Sequence, residues 1–182
     1  LDGKTAPVIL IDASTSDPVF TPTYSFGDRT RSFLKVQDGC DYYCSYCAIP
    51  HARGRSRNNS IAETLEKAKE VISKGVKEII LTGVNIGDFG RHNGESFYGL
   101  VRELEKLPGL ERLRISSIEP NLLSDEIIQL VSKSQIVLPH FHIPLQCGTD
   151  NLLRLMRRRY TTSFYKKKIE TIKQLMPYAC IA

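Results

Sequence analysis

The sequence has no long apolar run: none of its hydrophobic stretches approaches the ~20 residues that a membrane-spanning helix requires. Its first residues, LDGKTAPVILIDASTSDPVF, lack an initiator methionine and a basic segment followed by a long apolar one, so they do not predict a signal peptide. Only five cysteines occur among 182 residues, and three of them are clustered, which argues against a disulfide framework. We therefore expect a cytoplasmic protein in a reducing compartment, with no membrane partner.

What the sequence does contain is a moderate excess of basic residues. Lysine and arginine number 25 against 20 acidic residues, which gives a formal net charge of +5. This excess indicates a polyanionic partner only weakly, because modest basicity is common in proteins that bind no nucleic acid. Its distribution is more informative, since arginines follow the clustered cysteines and form an unbroken triplet at Arg157–Arg159.

Strands and helices are predicted to alternate from residue 31 onward. Residues 1–30 are rich in Pro, Thr, Ser and Asp and predict an extended linker. Apolar periodicity and capping residues predict strands at 31–37, 76–83, 110–118, 140–146 and 178–182, and helices at 60–74, 96–107, 124–134, 150–157 and 162–176. This alternation predicts an α/β fold with a parallel sheet.

The unusual residues follow the predicted strands, each at the point where a strand ends. The cysteine cluster follows the first strand, GVNIGDFG (83–90) the second, Glu119-Pro120 the third, and PLQCGT (144–149) closes the fourth. The carboxyl ends of parallel strands meet at one edge, and ligands bind there in open α/β sheets and α/β barrels. We therefore expect the functional site at this edge.

The clustered cysteines, Cys40, Cys44 and Cys47, have the spacing C-x3-C-x2-C, for which metal ligation is the natural interpretation. The spacing alone leaves open a zinc site, with His51 as a fourth ligand, an iron–sulfur cluster, and buried thiols without a metal. The position after a strand of a fold with a core of its own favours the cluster, since structural zinc usually stabilises small modules. Three thiolates on a [4Fe–4S] cluster leave one iron open to a small molecule.

Longer strings carry a resemblance to a known family. QDGCDYYCSYCAIPHARGRSR, LTGVNIGDFG, RISSIEP and HFHIPLQCGTDNLLRLMRRRYT together resemble the radical S-adenosylmethionine methylthiotransferases, and most of all the branch that modifies tRNA bearing N6-threonylcarbamoyladenosine. The resemblance implies an incomplete (β/α) barrel of the radical S-adenosylmethionine type, truncated in its fifth strand. Residues 31–182 would be part of this core domain, and residues 1–30 a linker from a missing N-terminal domain.

The resemblance also implies an activity, a transferase that adds a methylthio group at C2 of the modified adenine next to the anticodon. Cys40, Cys44 and Cys47 would hold a [4Fe–4S] cluster that binds S-adenosylmethionine, and the cofactors would perform the difficult chemistry. A second [4Fe–4S] cluster is expected in the missing N-terminal domain. The expected partners are the tRNA anticodon region and an electron donor such as flavodoxin or ferredoxin.

Two further sets of residues are expected at the site. The set expected to bind the cofactor is Tyr46, Asn85, Glu119, Gln146 and Arg157. The set expected to bind RNA phosphates, for which guanidinium groups are suited, is Arg53, Arg55, Arg57 and Arg158. Several of these residues have a structural alternative: Tyr46 could merely pack the loop, Asn85 could be a turn residue, and the arginines after the cysteines could form a solvated basic loop.

Other functions stay open at this point. A methylthiotransferase could act instead on N6-isopentenyl-type adenosine in tRNA or on an aspartate of a ribosomal protein. A zinc-stabilised RNA-binding module without catalysis would use the same cysteines and arginines. The fifth cysteine, Cys180, lies in the last predicted strand, where we expect it to belong to the core.

Overall fold

The computed structural model describes Phe20, residues 22–25 and residues 30–182. Most of the predicted linker, residues 1–30, therefore lies outside the described residues. The chain runs through strands and helices in the following order: β1 Arg31–Lys35, α1 Ile49–Arg53, α2 Ile61–Ser73, β2 Glu78–Thr82, a 3₁₀ turn Ile86–Asp88, α3 Phe97–Leu104, β3 Arg112–Ile115, α4 Asp125–Lys133, β4 His140–Phe141, α5 Asp150–Leu155, α6 Thr162–Leu175 and β5 Cys180–Ile181.

All five strands pair in parallel, as the alternation of strands and helices predicts. β1, β2 and β3 form one sheet in that order, and β4 pairs with β5. Two single parallel bridges, Leu113 to Val137 and Ser117 to His142, connect the β3 segment to the β4 segment. The α/β fold class is therefore confirmed.

Two of the details that differ from the expectation concern β4 and Cys180. β4 is only two residues long, against a predicted strand at 140–146, and Pro144, which has no N–H to donate to a ladder, lies in the remainder. Cys180 is exposed, so its expected place in the core is wrong.

The core lies between the three-stranded sheet and its helices. Leu34, Ile79, Leu81 and Leu113 of the strands are completely buried, as apolar strand runs covered by helices should be. Helix α2 begins with a capping box in which the Ser60 side chain accepts the backbone N–H three residues later, as the sequence predicts.

The described part of the predicted linker lies along the outer edge of β1. The backbone N–H of Ser25 donates to the Phe33 carbonyl at 3.1 Å, and that of Lys35 donates to the Thr23 carbonyl at 2.8 Å. Tyr24 pairs with Leu34 in antiparallel fashion. These bonds satisfy backbone groups at the edge of the sheet.

Among the described residues, no helix combines the length and the apolar character needed to cross a bilayer. The parallel arrangement places the loops that follow β1, β2, β3 and β4 at one edge of the structure. The functional residues predicted from the sequence lie in these loops.

Candidate functional site

The three clustered cysteines line a single cavity of about 120 Å³ at the carboxyl edge of the strands. Cys40 and Cys44 are buried and Cys47 is half-buried. Val84 and Leu122, from the loops after β2 and β3, pack against the cluster formed by Cys40, Tyr42 and Cys44. The loop after β1 therefore presents its sulfurs to a partly open and partly apolar cavity.

Most of the other predicted site residues line the same cavity. Its walls include the residues Tyr46, Asn85, Glu119, Gln146 and Arg158, together with Tyr42, Ile49 and Val84. Four separate loops and the segment after α5 thus converge on the cysteines. This convergence is what the shared carboxyl edge of parallel strands predicts.

The structure separates the arginines of the triplet Arg157–Arg159. Arg158 lines the cavity, whereas Arg157 does not and is exposed, with Nη1 3.5 Å from the Tyr43 carbonyl. Arg159 lies over the ring of Tyr42, 3.8 Å from its centroid, and donates to the Asp41 carbonyl. Arg157, which was expected to bind the cofactor, therefore lies outside the cavity, and its neighbour Arg158 lines it.

The guanidinium of Arg158 is paired with the Glu119 carboxylate inside the cavity. Its side chain is only 3% exposed, and Nη1 also lies 3.3 Å from Cys44 Sγ. Burial alone would lower the pKa of Arg158, but its hydrogen bond and charge interaction with Glu119 outweigh burial and raise it above the ordinary value. Arg158 is therefore a permanent cation beside a cysteine sulfur.

Asn85 carries an unused hydrogen-bond acceptor at the site. Its Nδ2 donates to Asp88 Oδ2 at 2.8 Å and lies 4.0 Å from Cys40 Sγ. Its Oδ1 is buried and has no hydrogen-bond partner among the residues that the structure describes. A buried acceptor without a donor is costly, so this oxygen is suited to a ligand that donates an N–H.

Gln37, which the sequence analysis did not single out, connects the loops that form the site. It is completely buried, and its Nε2 donates to the carbonyls of Asp38 and Gly39 and to Ser56 Oγ, each within 2.9 Å. Its Oε1 accepts the backbone N–H of Val84 and of Asn85. The only signal in the sequence is a polar residue at the end of an apolar strand, directly before the cysteine loop.

The basic segment after the cysteines folds back onto a buried carboxylate. Asp38 forms ion pairs with Lys35 at 2.8 Å, Arg53 at 3.1 Å and Arg57 at 3.2 Å. Arg55 is exposed, and within the described part of the chain its side chain has no hydrogen-bond or ion-pair partner. The predicted RNA-binding arginines 53, 55 and 57 thus lie outside the cavity, and two of them are held by Asp38.

The geometry gives the zinc alternative no support. Within Phe20, residues 22–25 and residues 30–182, no three His, Cys, Asp or Glu side chains come close enough together to hold a single metal ion. The ring of His51, the candidate fourth ligand, lies edge-on to Tyr43 with 5.7 Å between centroids. In a [4Fe–4S] cluster each cysteine binds a different iron, so the sulfurs need not surround one point.

The residues present fit a [4Fe–4S] cluster. Three thiols form the soft donor set that cluster irons prefer. The backbone N–H of Tyr42 lies 3.3 Å from Cys40 Sγ, and Arg158 donates to Cys44 Sγ, so two of the sulfurs already receive hydrogen bonds. Burial raises the pKa of the Cys40 thiol to about 11, so a bound metal is needed to hold this sulfur as a thiolate at neutral pH.

A larger cavity, of about 380 Å³, lies on the other side of Tyr42. Its walls include Asp88, Arg91, Asn121 and Arg159, but none of the cysteines. Asn121 Nδ2 donates to the hydroxyl of Tyr42, which lines both cavities. Cavity size therefore does not by itself identify a functional site, since the three thiols lie in the smaller of the two cavities.

A family model described as the Radical SAM superfamily matches residues 34–181. Threonylcarbamoyladenosine tRNA methylthiotransferase MtaB of Bacillus subtilis (strain 168) is 39% identical over 155 residues, covering 84% of this chain and 34% of the relative. The protein of that name from Thermotoga maritima is 39% identical over 179 residues, covering 97% of this chain and 41% of the relative. The chain thus spans about a third to two fifths of these curated relatives.

A relative named for a different modified adenosine and two solved structures also match this chain. A tRNA-2-methylthio-N(6)-dimethylallyladenosine synthase of Acetivibrio thermocellus is 37% identical over 152 residues, covering 82% of this chain and 32% of the relative. The radical S-adenosylmethionine methyltransferase TsrM from Kitasatospora setae matches with TM-score 0.63 at 18% identity, over 83% of this chain and 29% of TsrM. The cobalamin-dependent enzyme OxsB matches with TM-score 0.63 at 13% identity, over 82% of this chain and 23% of OxsB.

These two structures support the fold alone, and the family model covers nearly the whole described core. The cysteine loop after β1 stands at the edge where the sequence predicts it, and all three of its thiols line one cavity. The chain belongs to the radical S-adenosylmethionine superfamily, as its motifs predicted.

Proposed function

We propose that this chain is the catalytic core of a tRNA methylthiotransferase that adds a methylthio group at C2 of N6-threonylcarbamoyladenosine next to the anticodon. The observation that carries the proposal is the single cavity lined by Cys40, Cys44 and Cys47 in a chain of this superfamily. Two relatives with 39% identity that are named for this activity support the choice of substrate.

The proposal concerns a longer protein than the residues described. In it, residues 1–30 are a linker from an N-terminal domain that holds a second [4Fe–4S] cluster. Residues 31–182 are part of the core domain, an incomplete (β/α) barrel truncated in its fifth strand. The parallel pairing of β1 to β3 and of β4 with β5 is consistent with such a barrel.

The residues of the cavity divide the work of cofactor binding. The three cysteine thiolates hold a [4Fe–4S] cluster, which, when bound, supplies the electron that cleaves S-adenosylmethionine. Asn85 Oδ1, the buried acceptor without a partner among the described residues, accepts an N–H of the cofactor's amino group. Tyr46, Glu119 and Gln146 line the remaining wall and orient the cofactor.

RNA contact is proposed for the exposed basic residues near this edge. Arg55 offers a guanidinium without a partner among the described residues, and Arg53 is half-exposed although it is paired with Asp38. Guanidinium groups bind phosphate oxygens in bidentate fashion, so these residues suit the tRNA anticodon region. A cytoplasmic flavodoxin or ferredoxin is proposed as the electron donor.

A second candidate function has one specific observation in its favour. The Acetivibrio thermocellus relative, which is 37% identical, is named as a synthase for 2-methylthio-N(6)-dimethylallyladenosine. The relatives named for the two substrates differ by only two percentage points in their identity to this chain, which does not tell the substrates apart. The N6 substituent of the substrate is therefore the variable to be measured.

Mass spectrometry of nucleosides from total tRNA tests the proposal. Cells that lack the full-length gene should lose 2-methylthio-N6-threonylcarbamoyladenosine and accumulate the precursor without the methylthio group. The wild-type gene should restore the nucleoside, and the Cys44→Ala gene should not. Loss of the dimethylallyl nucleoside instead would establish the second candidate, and an unchanged nucleoside profile would refute both.

A further inference from the structure

The guanidinium of Arg158 lies within the reactive cavity and uses its donors on four different side chains. Nη1 lies 3.3 Å from Cys44 Sγ and donates to the Tyr46 hydroxyl at 3.1 Å. Nε donates to the Tyr160 hydroxyl at 3.2 Å, and Nη2 pairs with Glu119. An arginine fixed from both sides in this way cannot swing out to reach an RNA phosphate.

The fixation depends on Tyr160, which is buried. The hydroxyl of Tyr160 lies 2.7 and 2.9 Å from the carbonyl oxygens of Pro144 and Leu145, which share its single O–H donor, so the ring is anchored in the loop after β4. The guanidinium also lies over the Tyr160 ring, 5.2 Å from its centroid. The loop after β4 thereby determines where the cation lies relative to Cys44.

The electrostatic effect of Arg158 on a cluster follows from its burial. A hydrogen bond from a charged donor is stronger than one between neutral groups, and it acts undiminished where water is excluded. Hydrogen bonds to the sulfurs and nearby charge are among the factors that set the reduction potential of an iron–sulfur cluster. Reduction adds one negative charge, so a fixed cation beside a ligand sulfur favours the reduced state.

We propose that Arg158 raises the reduction potential of the [4Fe–4S] cluster by donating a charged hydrogen bond to the Cys44 sulfur, and that Glu119 opposes this effect. The inference rests on the proposed function, since it needs a cluster at the three cysteines. It assigns Arg158 to tuning the cluster and not to contact with RNA phosphate. The affected step is the one-electron reduction of the cluster by the external electron donor.

The test uses the full-length enzyme reconstituted with iron and sulfide without oxygen, in wild-type, Arg158→Gln, Arg158→Lys and Glu119→Gln forms. Arg154→Gln is the matched control, because Arg154 is exposed on α5 and donates to Asn151. Iron and acid-labile sulfide are measured first. The midpoint potential of the cluster at Cys40, Cys44 and Cys47 is then measured by a redox titration followed by electron paramagnetic resonance, without S-adenosylmethionine. Its signal is the one that the Cys44→Ala variant lacks.

We expect Arg158→Gln to bind a full cluster with a more negative midpoint potential than the wild type. Arg158→Lys, which keeps the charge but loses the planar fork, should lie between the two. Glu119→Gln should have a more positive midpoint potential than the wild type. If Arg158→Gln fails to hold a cluster, the shift in Glu119→Gln tests the proposal. Arg154→Gln should match the wild type.

Different results would overturn the proposed function and the effect of Arg158. A wild-type enzyme without iron and sulfide at these cysteines overturns the proposed function and this inference with it. A cluster-bearing wild type whose midpoint potential is unchanged in both Arg158→Gln and Glu119→Gln overturns the inference alone. Equal shifts in Arg154→Gln and Arg158→Gln would also overturn it, since the effect would then be one of net charge.

Discussion

The backbone N–H of Asn85 donates to Oε1 of Gln37 at 2.7 Å, which joins the loop after β2 to the end of β1. Nε2 of the same amide donates to the carbonyl of Gly39, one residue before the first cysteine. One buried side chain therefore fixes both the start of the cysteine loop and the residue that carries the unused acceptor. The geometry of the site depends on Gln37 although Gln37 does not line the cavity.

The first prediction follows from the number of hydrogen bonds that Gln37 makes. Gln37→Leu removes the partner of the Gly39 carbonyl, of the Ser56 hydroxyl and of two backbone N–H groups, in a region where each unsatisfied group costs about 1–3 kcal/mol. The Asp38 carbonyl keeps the backbone N–H of Arg57. We expect the free energy of unfolding of the apoprotein in urea to fall by about 3 kcal/mol or more. Gln129→Leu, on the exposed face of α4, is the control and should have little effect. Equal stabilities of the two variants would contradict this role.

The second prediction concerns Gly39, whose backbone has a φ of +70°. A Cβ at this position would lie 2.0 Å from the Arg55 carbonyl oxygen, so Gly39→Ala cannot keep the present backbone. We expect the variant to bind less than half the iron and sulfide of the wild type, because the cysteine loop must move. Gly148→Ala is the control, since nothing lies within 4 Å of its Cβ position. Normal cluster content in Gly39→Ala would show that the close approach is dispensable.

The third prediction is a pH dependence that originates at Asp38. Burial alone would raise the pKa of Asp38, but hydrogen bonds from Lys35 and from the Gly39 N–H outweigh burial and hold it below 3.8. A carboxyl whose pKa is lower in the folded state stabilises the fold above its unfolded pKa, and that contribution is lost as the pH falls through the folded value.

Asp38→Asn should therefore cost about 1.5–3 kcal/mol of unfolding free energy at pH 7, the usual range for hydrogen bonds to a charged group. The difference from the wild type should persist down to about pH 4 and shrink below pH 3.8. Urea titrations of both proteins between pH 3 and 7 measure it. A difference that grows on acidification would have the wrong sign.

The fourth prediction concerns the affinity for S-adenosylmethionine. Asn85→Ala removes the buried Oδ1, and loss of one hydrogen-bond acceptor to a charged amino group costs about 1–3 kcal/mol. The dissociation constant of the cluster-loaded enzyme should rise about 5- to 150-fold. Calorimetric titration gives the value, with Asn151→Ala on exposed α5 as a control that should bind normally. Unchanged affinity of Asn85→Ala would remove Asn85 from the binding site.

Regular features of the fold were predictable because they follow from local patterns. The capping residues of α2 and the apolar runs of the strands specify where these elements begin and end. Parallel strands also explain why Cys44, Asn85 and Glu119 meet, since each follows a strand and all strands end at one edge.

The remaining features depend on contacts between distant residues. Sequence alone does not tell Arg157 from Arg158, because the inward position of Arg158 depends on its contacts with the distant residues Glu119 and Cys44. Arg53 and Arg57 pair with Asp38, which lies up to 19 positions away in the sequence. Because this pairing is not visible in the sequence, the basic segment resembled a free surface loop. Gln37 carries no recognisable motif, and its role is visible only from its partners.

The most direct test measures the iron, zinc and acid-labile sulfide bound per chain after reconstitution without oxygen. We expect the wild type to bind as much acid-labile sulfide as iron. Cys180→Ala should bind the same amounts as the wild type, because Cys180 is exposed and lies outside the cavity. We expect loss of the cluster bound by this domain in Cys40→Ala, Cys44→Ala and Cys47→Ala. Zinc without sulfide in the wild type, or a full iron and sulfide content in all three cysteine variants, would contradict a [4Fe–4S] cluster at these cysteines.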